Sequence, residues 1–319
     1  MTHRRVHSRV VAVPAATVYG LVADVSRWPV IFEPSIHVHH LERGEGHERF
    51  QLWAMVNGEV KSWTSRRTLD PEALRITFRQ EHSQPPVTLM SGEWIFRPQP
   101  DGGTEIVLVH EFSVAGGERQ VALLEQALDA NSERELAALG RIGELEHPVD
   151  DLVFTFSDEV ELPGTAADVY DFVYRSDRWP DALPHVRRVV LREEEPGIQD
   201  MEMETVTGDG STHTTRSVRV CLPGERIVYK QLIPPALLTG HSGSWLFSER
   251  PGGSLVVAEH TVAINPAAIT SVLGAGRTVA DARSFLRAAL GRNSRATLTY
   301  AGAHASERAA VSPDEGVPR

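Results

Sequence analysis

The sequence predicts an α+β chain of two tandem domains, each a curved antiparallel sheet wrapped around a long C-terminal helix with an internal pocket. Three observations predict it. A segment repeats at a nearly constant offset, six strand-like segments follow one another in each copy, and a long amphipathic segment closes each copy. With 319 residues, 41% hydrophobic and 24% charged, the chain has the size and composition of two average globular domains.

The repeat comes first. VAVPAATVYGLVADVSRWP, Val11 to Pro29, matches VELPGTAADVYDFVYRSDRWP, Val160 to Pro180. The match continues from Pro85-Pro86 to Pro234-Pro235, Trp94 to Trp245, Gly102-Gly103 to Gly252-Gly253, and His110 to His260. All these offsets lie between 149 and 151, the mark of duplication. Each copy opens with a strand (5–13; 152–162) and continues into two short helices (15–33; 165–184). Pro stands near the helix start, where a missing N–H costs nothing. Six segments of alternating or β-branched character follow, punctuated by Gly, Pro and Asp. A helix (118–146; 266–302) closes each copy. In the first, Val121, Leu124, Leu128, Leu136, Leu139 and Ile142 form one stripe. The domains are read as 1–147 and 151–303, joined by His147-Pro148-Val149-Asp150. The polar stretch 304–319, with Pro313 and Pro318, is read as a disordered tail.

Strand alternation predicts which side chains face the pocket. Ile106, Leu108, His110, Phe112 and Val114 share a face, as do Val256, Ala258, His260, Val262 and Ile264. A histidine in an apolar wall has a tunable pKa, as acid–base chemistry needs. The competing reading is a core histidine bonded to a neighbour. Trp63, Ser65, Arg67 and Leu69 share another face, so Arg67 and Ser65 join His110 and His260 as catalytic candidates. An arginine facing a cavity requires a carboxylate or a ligand oxygen, so an internal Arg–Glu pair is the alternative. In the second copy Arg216 and Arg219 fall on opposite faces, and alternation leaves the choice open, with Arg219 carried as the candidate. Met90 and Trp94 share a face, as do His241 and Trp245. Trp28 and Trp179 sit at the helix-to-helix turns, with Ser35 and His185 within seven residues of them. These residues, with Trp63 and Phe112, are the substrate-binding candidates. Plain core packing is the competing reading for the Met and the aromatics.

Several classes are disfavoured. The net charge of -11 argues against a nucleic-acid binder. The single cysteine, Cys221, rules out a disulfide framework and a cysteine-based zinc site. Among the candidate pocket histidines of the second copy, His185, His213, His241 and His260, no two stand at metal-binding helical spacing, so no metal is expected. No Gly-rich phosphate loop and no Gly-x-Ser-x-Gly elbow is present, so neither a nucleotide cofactor nor an acyl-enzyme is expected. No signal-peptide h-region opens the chain and no apolar run reaches membrane-spanning length, so a cytoplasmic protein without membrane contact is expected.

The order of elements, the Trp-Pro turns and the closing helices resemble the START/Bet v1-like superfamily, whose fold is a helix-grip. Within it, Ala23-Asp24-Val25-Ser26-Arg27-Trp28-Pro29 with Phe32, Trp63-Thr64-Ser65-Arg66-Arg67, Met90 with Trp94, and Gly102-Gly103-Thr104-Glu105 running to His110-Glu111-Phe112 resemble aromatase/cyclases of bacterial type II polyketide synthases. The tandem copies resemble the di-domain subfamily. The resemblance implies an enzyme without cofactor that takes a ketoreduced poly-β-ketone bound to an acyl carrier protein. It implies closure of the first ring by an aldol reaction, expected at C7–C12, followed by dehydration. A pocket arginine of the single-domain relatives matches Arg67, a pocket glutamine falls at His110, and a tyrosine they use falls at Ser35. His110 is the natural replacement for proton transfer. The implied partners are the carrier protein and the ketosynthase and ketoreductase of the same synthase. Docking an acidic carrier protein needs local basic residues, for which Arg4, Arg5, Arg66, Arg187 and Arg188 are candidates. A non-catalytic carrier of lipid or other hydrophobic ligand is the alternative, and the sequence leaves open which half is active.

Overall fold

A computed structural model describes residues 1–206, 210 and 212–311. It divides into two compact units, Met1–Asp151 and Leu152–Arg319. In the first, β1 (His3–Val11) leads to α1 (Ala15–Ala23), a 3-10 turn (Val25–Arg27) and α2 (Trp28–Ile31). Then come β2 (Ser35–Gly44), β3 (His47–Val56), β4 (Glu59–Asp70), β5 (Arg75–His82), β6 (Val87–Pro98) and β7 (Thr104–Val114). The unit ends with α3 (Glu118–Gly143). The strands form one antiparallel sheet in the order β1-β7-β6-β5-β4-β3-β2.

The second unit repeats this. After α4 (Val149–Leu152) come β8 (Val153–Leu162), α5 (Ala166–Tyr174), a 3-10 turn (Ser176–Arg178) and α6 (Trp179–Ala182). Next are β9 (Val186–Glu195), β10 (Ile198–Val206), β11 (Thr212–Leu222), β12 (Arg226–Ile233), β13 (Leu238–Arg250) and β14 (Gly253–Ile264). The sheet order, β8-β14-β13-β12-β11-β10-β9, is that of the first unit.

Local chemistry explains the turns. Asn57 and Gly58 both have positive φ, 52° and 84°, and join β3 to β4 with Val56 opposite Glu59. Asn-Gly favours such a two-residue turn because both residues tolerate the left-handed region. Trp28-Pro29 opens α2 with proline in the first turn. The helix α5 is capped by Thr165, whose Oγ1 accepts from Asp168 N at 3.1 Å.

Two expectations are corrected at the C-terminus. The second closing helix is interrupted: a 3-10 turn (Pro266–Ala268) and α7 (Ile269–Leu273) precede α8 (Val279–Val311). Gly274 and Gly276, both at positive φ, carry the break. The stretch read as a tail is helical from residue 304 to 311. Ala305 is fully buried, and a Cβ on Gly164 would strike it. Arg308 pairs with Asp168 at 3.2 Å and Asp171 at 2.8 Å. A buried small residue and two carboxylates hold the helix where composition alone suggested disorder. The rest of that stretch, 312–319, lies outside the described residues.

Candidate active site

The first sheet and α3 enclose a cavity of about 440 Å³. Its lining includes Trp63, Ser65 and Arg67 from β4, Met90 and Trp94 from β6, His110 from β7, and Trp28 and Ser35 at the α2–β2 corner. These are the residues that alternation placed inward. Phe112 is the exception. It lies on the same face of β7 but beyond the cavity, fully buried, its ring stacked on His3 at 5.4 Å. The face was read correctly, but β7 outruns the pocket, and the end of β1 covers Phe112.

Arg67 is 2% exposed. Its Nε donates to Glu48 Oε1 at 2.7 Å, Nη1 to Val22 O at 2.8 Å and Nη2 to Ala23 O at 2.7 Å, and Nη2 also pairs with Glu48. A guanidinium has five N–H groups, so these contacts leave one Nη1 N–H uncommitted. Its carbon lies 5.1 Å from the Trp28 ring centroid. Arg67 is thus both a cavity wall and half of an internal pair that ties β4 to the end of α1. Burial works to raise the Glu48 carboxyl, but the His40 hydrogen bond at 3.2 Å and the Arg67 guanidinium outweigh it and hold it below the ordinary carboxylate range.

His110 presents a different environment. Its Nδ1 is buried with no hydrogen-bond partner among the described residues. Phe78 packs edge-on against its ring at 5.5 Å, and His7, itself 2.9 Å from Asp129, lies 6.5 Å away. Burial, helped by His7, pushes the His110 pKa down to about 4. The imidazole is therefore neutral at neutral pH.

In the second unit the equivalent positions are filled. His260 Nδ1 lies 3.0 Å from Tyr229 Oη and 3.1 Å from His241 Nε2, and His260 Nε2 lies 2.9 Å from Ser294 Oγ. Arg219, not Arg216, is the inward arginine. It is 3% exposed and donates to Ser176 Oγ at 2.7 Å and Val173 O at 2.6 Å, with its carbon 5.7 Å from the Trp179 ring. Arg216 lies outside on Asp200 at 2.7 Å. Trp179 stacks on Trp245 at 6.2 Å inside the core. His185 stands apart at the α6–β9 corner, half-buried, its carbonyl accepting from Val206 N at 2.9 Å. Trp179, Arg219, His241, Trp245 and His260 thus pack against protein.

A family model described as "Polyketide cyclase / dehydrase and lipid transport" matches residues 2–144, and a second so described matches residues 162–284. The granaticin polyketide synthase bifunctional cyclase/dehydratase of Streptomyces violaceoruber is 54% identical over 96% of this chain and 95% of its own. The chain belongs to the polyketide cyclase/dehydrase family. The actinorhodin polyketide synthase bifunctional cyclase/dehydratase of Streptomyces coelicolor is 55% identical over 95% of this chain and 97% of its own. The crystal structure of the di-domain ARO/CYC BexL, from the BE-7585A biosynthetic pathway, superposes with a TM-score of 0.79 at 48% identity. It covers 99% of this chain and 100% of that one. This cyclase/dehydrase chain is thus a two-domain member, as the repeat foretold.

Three residues of the site escaped the sequence reading. Glu48 was legible in principle: a two-residue turn at Asn57-Gly58 sets Glu48 opposite Arg67. Phe78 and its counterpart Tyr229 stand opposite Gly92 and Gly243, which in turn stand opposite His110 and His260. One hydroxyl separates the two copies there. Glu135 lines the cavity from α3 with Leu124, Leu128 and Asn131, a spacing of four, three and four residues that marks one helix face. Among the described residues, no cluster of three or more His, Cys, Asp or Glu is arranged to hold a metal, and no helix is long and apolar enough to cross a membrane.

The arginines offered as docking candidates each stand beside a carboxylate. Arg4 lies 3.9 Å from Glu111, Arg5 2.7 Å from Asp129, and Arg66 2.9 Å from Glu81. Arg187 lies 3.1 Å from Glu204 and Arg188 3.1 Å from Glu202. Each therefore has a carboxylate neighbour on an adjacent strand or helix.

Proposed function

We propose that the cavity of the first unit receives a ketoreduced poly-β-ketone tethered to an acyl carrier protein. There it closes the first ring by an intramolecular aldol reaction between C7 and C12, then eliminates water. The observation that carries this is the contrast between His110 and His260. In the first unit the ring nitrogen is buried at the cavity wall without a partner, whereas its duplicate is bonded at both nitrogens. That contrast supports the first half as the reacting one.

Neutral His110 removes a proton from a methylene flanked by two carbonyls. The enolate carbon attacks the facing carbonyl, and the proton returns to the new alkoxide oxygen. The uncommitted Nη1 N–H of Arg67 donates to an oxygen on which charge develops. Trp28, Trp63, Met90 and Trp94 supply flat apolar walls that hold the chain in one folded geometry. Positioning reacting carbons replaces a costly entropy loss, worth up to about 7–11 kcal/mol in well-oriented intramolecular reactions.

The test is reconstitution with a minimal type II synthase and a ketoreductase, with products profiled by mass spectrometry. The wild-type chain should yield a first-ring aromatic product, and His110→Ala should divert material to shunt products. Phe78→Tyr, which offers His110 the hydroxyl that His260 already has, should cut the aromatic product about tenfold, the effect of about 1.4 kcal/mol. His260→Ala should leave the product pattern unchanged. A wild-type chain that alters no product, and binds lipid instead, would establish the carrier reading.

A further inference from the structure

We infer that Glu135 is a second catalytic residue of this cavity, the acid that protonates the departing hydroxyl during dehydration; this rests on the cyclase reading above. Glu135 projects from α3 into the cavity whose opposite walls carry Arg67 and His110. Glu135 is half-buried, and it lines that cavity. No described residue offers it a hydrogen bond or an ion pair, although Lys61, Glu59, Arg67 and His110 share the chamber. A buried carboxylate without a cation is expensive, so the group is held as the neutral acid. Burial alone lifts its pKa to about 8.

The chamber therefore contains two titratable groups displaced in opposite directions. His110 is an unprotonated base and Glu135 a protonated acid at the same pH, the division of labour that an elimination needs. In the step, His110 takes the proton from the carbon next to the carbinol, and the electron pair forms the new C=C bond. The C–O bond breaks as the Glu135 carboxyl proton moves to the leaving oxygen, and water departs. Proton transfer from the His110 imidazolium to the Glu135 carboxylate through that water restores both groups, so one substrate loses one water and nothing else is consumed.

The experiment uses the full chain in the reconstituted synthase. Glu135→Gln keeps the shape but carries no acidic proton. It should accumulate a ring closed between the same carbons that retains the elements of water, with the aromatic fraction down at least tenfold. Glu135→Asp should recover part of that loss. An undiminished aromatic fraction in Glu135→Gln overturns the assignment, and so does diversion to differently closed rings, which would make Glu135 a shaping residue only. Carboxyl-carbon NMR of the purified chain, with Glu135→Gln to assign the signal, decides independently of turnover. A Glu135 signal protonated at pH 7 and titrating near 8 is expected, and a carboxylate at pH 7 overturns the proposal even should the cyclase reading itself fail.

Discussion

Arg67 shows how one side chain is both legible and misleading. Alternation along β4 put it inward, as found, but its donors are spent mostly on Glu48 and on the carbonyls that end α1. Removing one partner of a buried pair leaves the other charge stranded, which costs about 3–5 kcal/mol. Arg67→Met should therefore lower the denaturant midpoint of the first unit by a loss of that size. Glu48→Gln should cost much less, because the second unit already places Gln199 opposite Arg219 and satisfies the arginine with a serine hydroxyl and backbone carbonyls. Equal losses in the two variants would count against this. The histidines of the second unit bear on pH. Burial holds His241 at about 3 and His260 at about 4, both below the unfolded value near 6.5. The unfolded chain thus takes up protons first. Their contribution to stability is complete above about 6.5 and is lost as pH falls through that window. His241→Met, the residue that Met90 supplies in the first copy, should flatten the fall in Tm between pH 7 and pH 4. An unchanged slope would show that other groups dominate.

The closing helices show where periodicity sufficed and where it failed. In α3 the apolar stripe predicted the helix, and the same stripe carried Glu135 into the cavity because positions 124, 128, 131 and 135 lie one above another. The reading of 304–311 as a tail failed because alanine and charge are equally compatible with an exposed tail and with a helix whose small face is buried. Ending the chain after Ala303 should lower the stability of the second unit by about 1–2 kcal/mol, since Ala305 and both carboxylate partners of Arg308 lose their contacts. A Tm equal to that of the full chain would restore the tail reading. On β6, Gly92 lies so close to the Val109 carbonyl oxygen and the Phe78 ring that a Cβ would overlap both. Gly92→Ala should cost about 1–3 kcal/mol through overpacking, visible in the denaturant midpoint, and should disturb the Phe78 contact with His110.

In the molecule as a whole, one duplicated scaffold carries two different polar interiors. In the first unit Arg67 pairs with Glu48 and His110 Nδ1 has no partner among the described residues; in the second Arg219 is held by Ser176 and His260 by Tyr229, His241 and Ser294. Arg219→Met and His260→Ala should accordingly lower stability without changing which ring forms, as read by unfolding curves beside product profiles. A shift in products would place chemistry in the second unit as well. The duplication, the order of strands and helices, and the inward faces of β4, β6 and β7 all follow from the sequence alone, because local spacing and a repeat at constant offset carry them. Which nitrogen is left free and which is bonded does not follow from spacing. It depends on a phenylalanine against a tyrosine two strands away, a methionine against a histidine, and in the second unit a serine hydroxyl from α8. Those partners are distant in the chain, so only the folded packing brings them within reach.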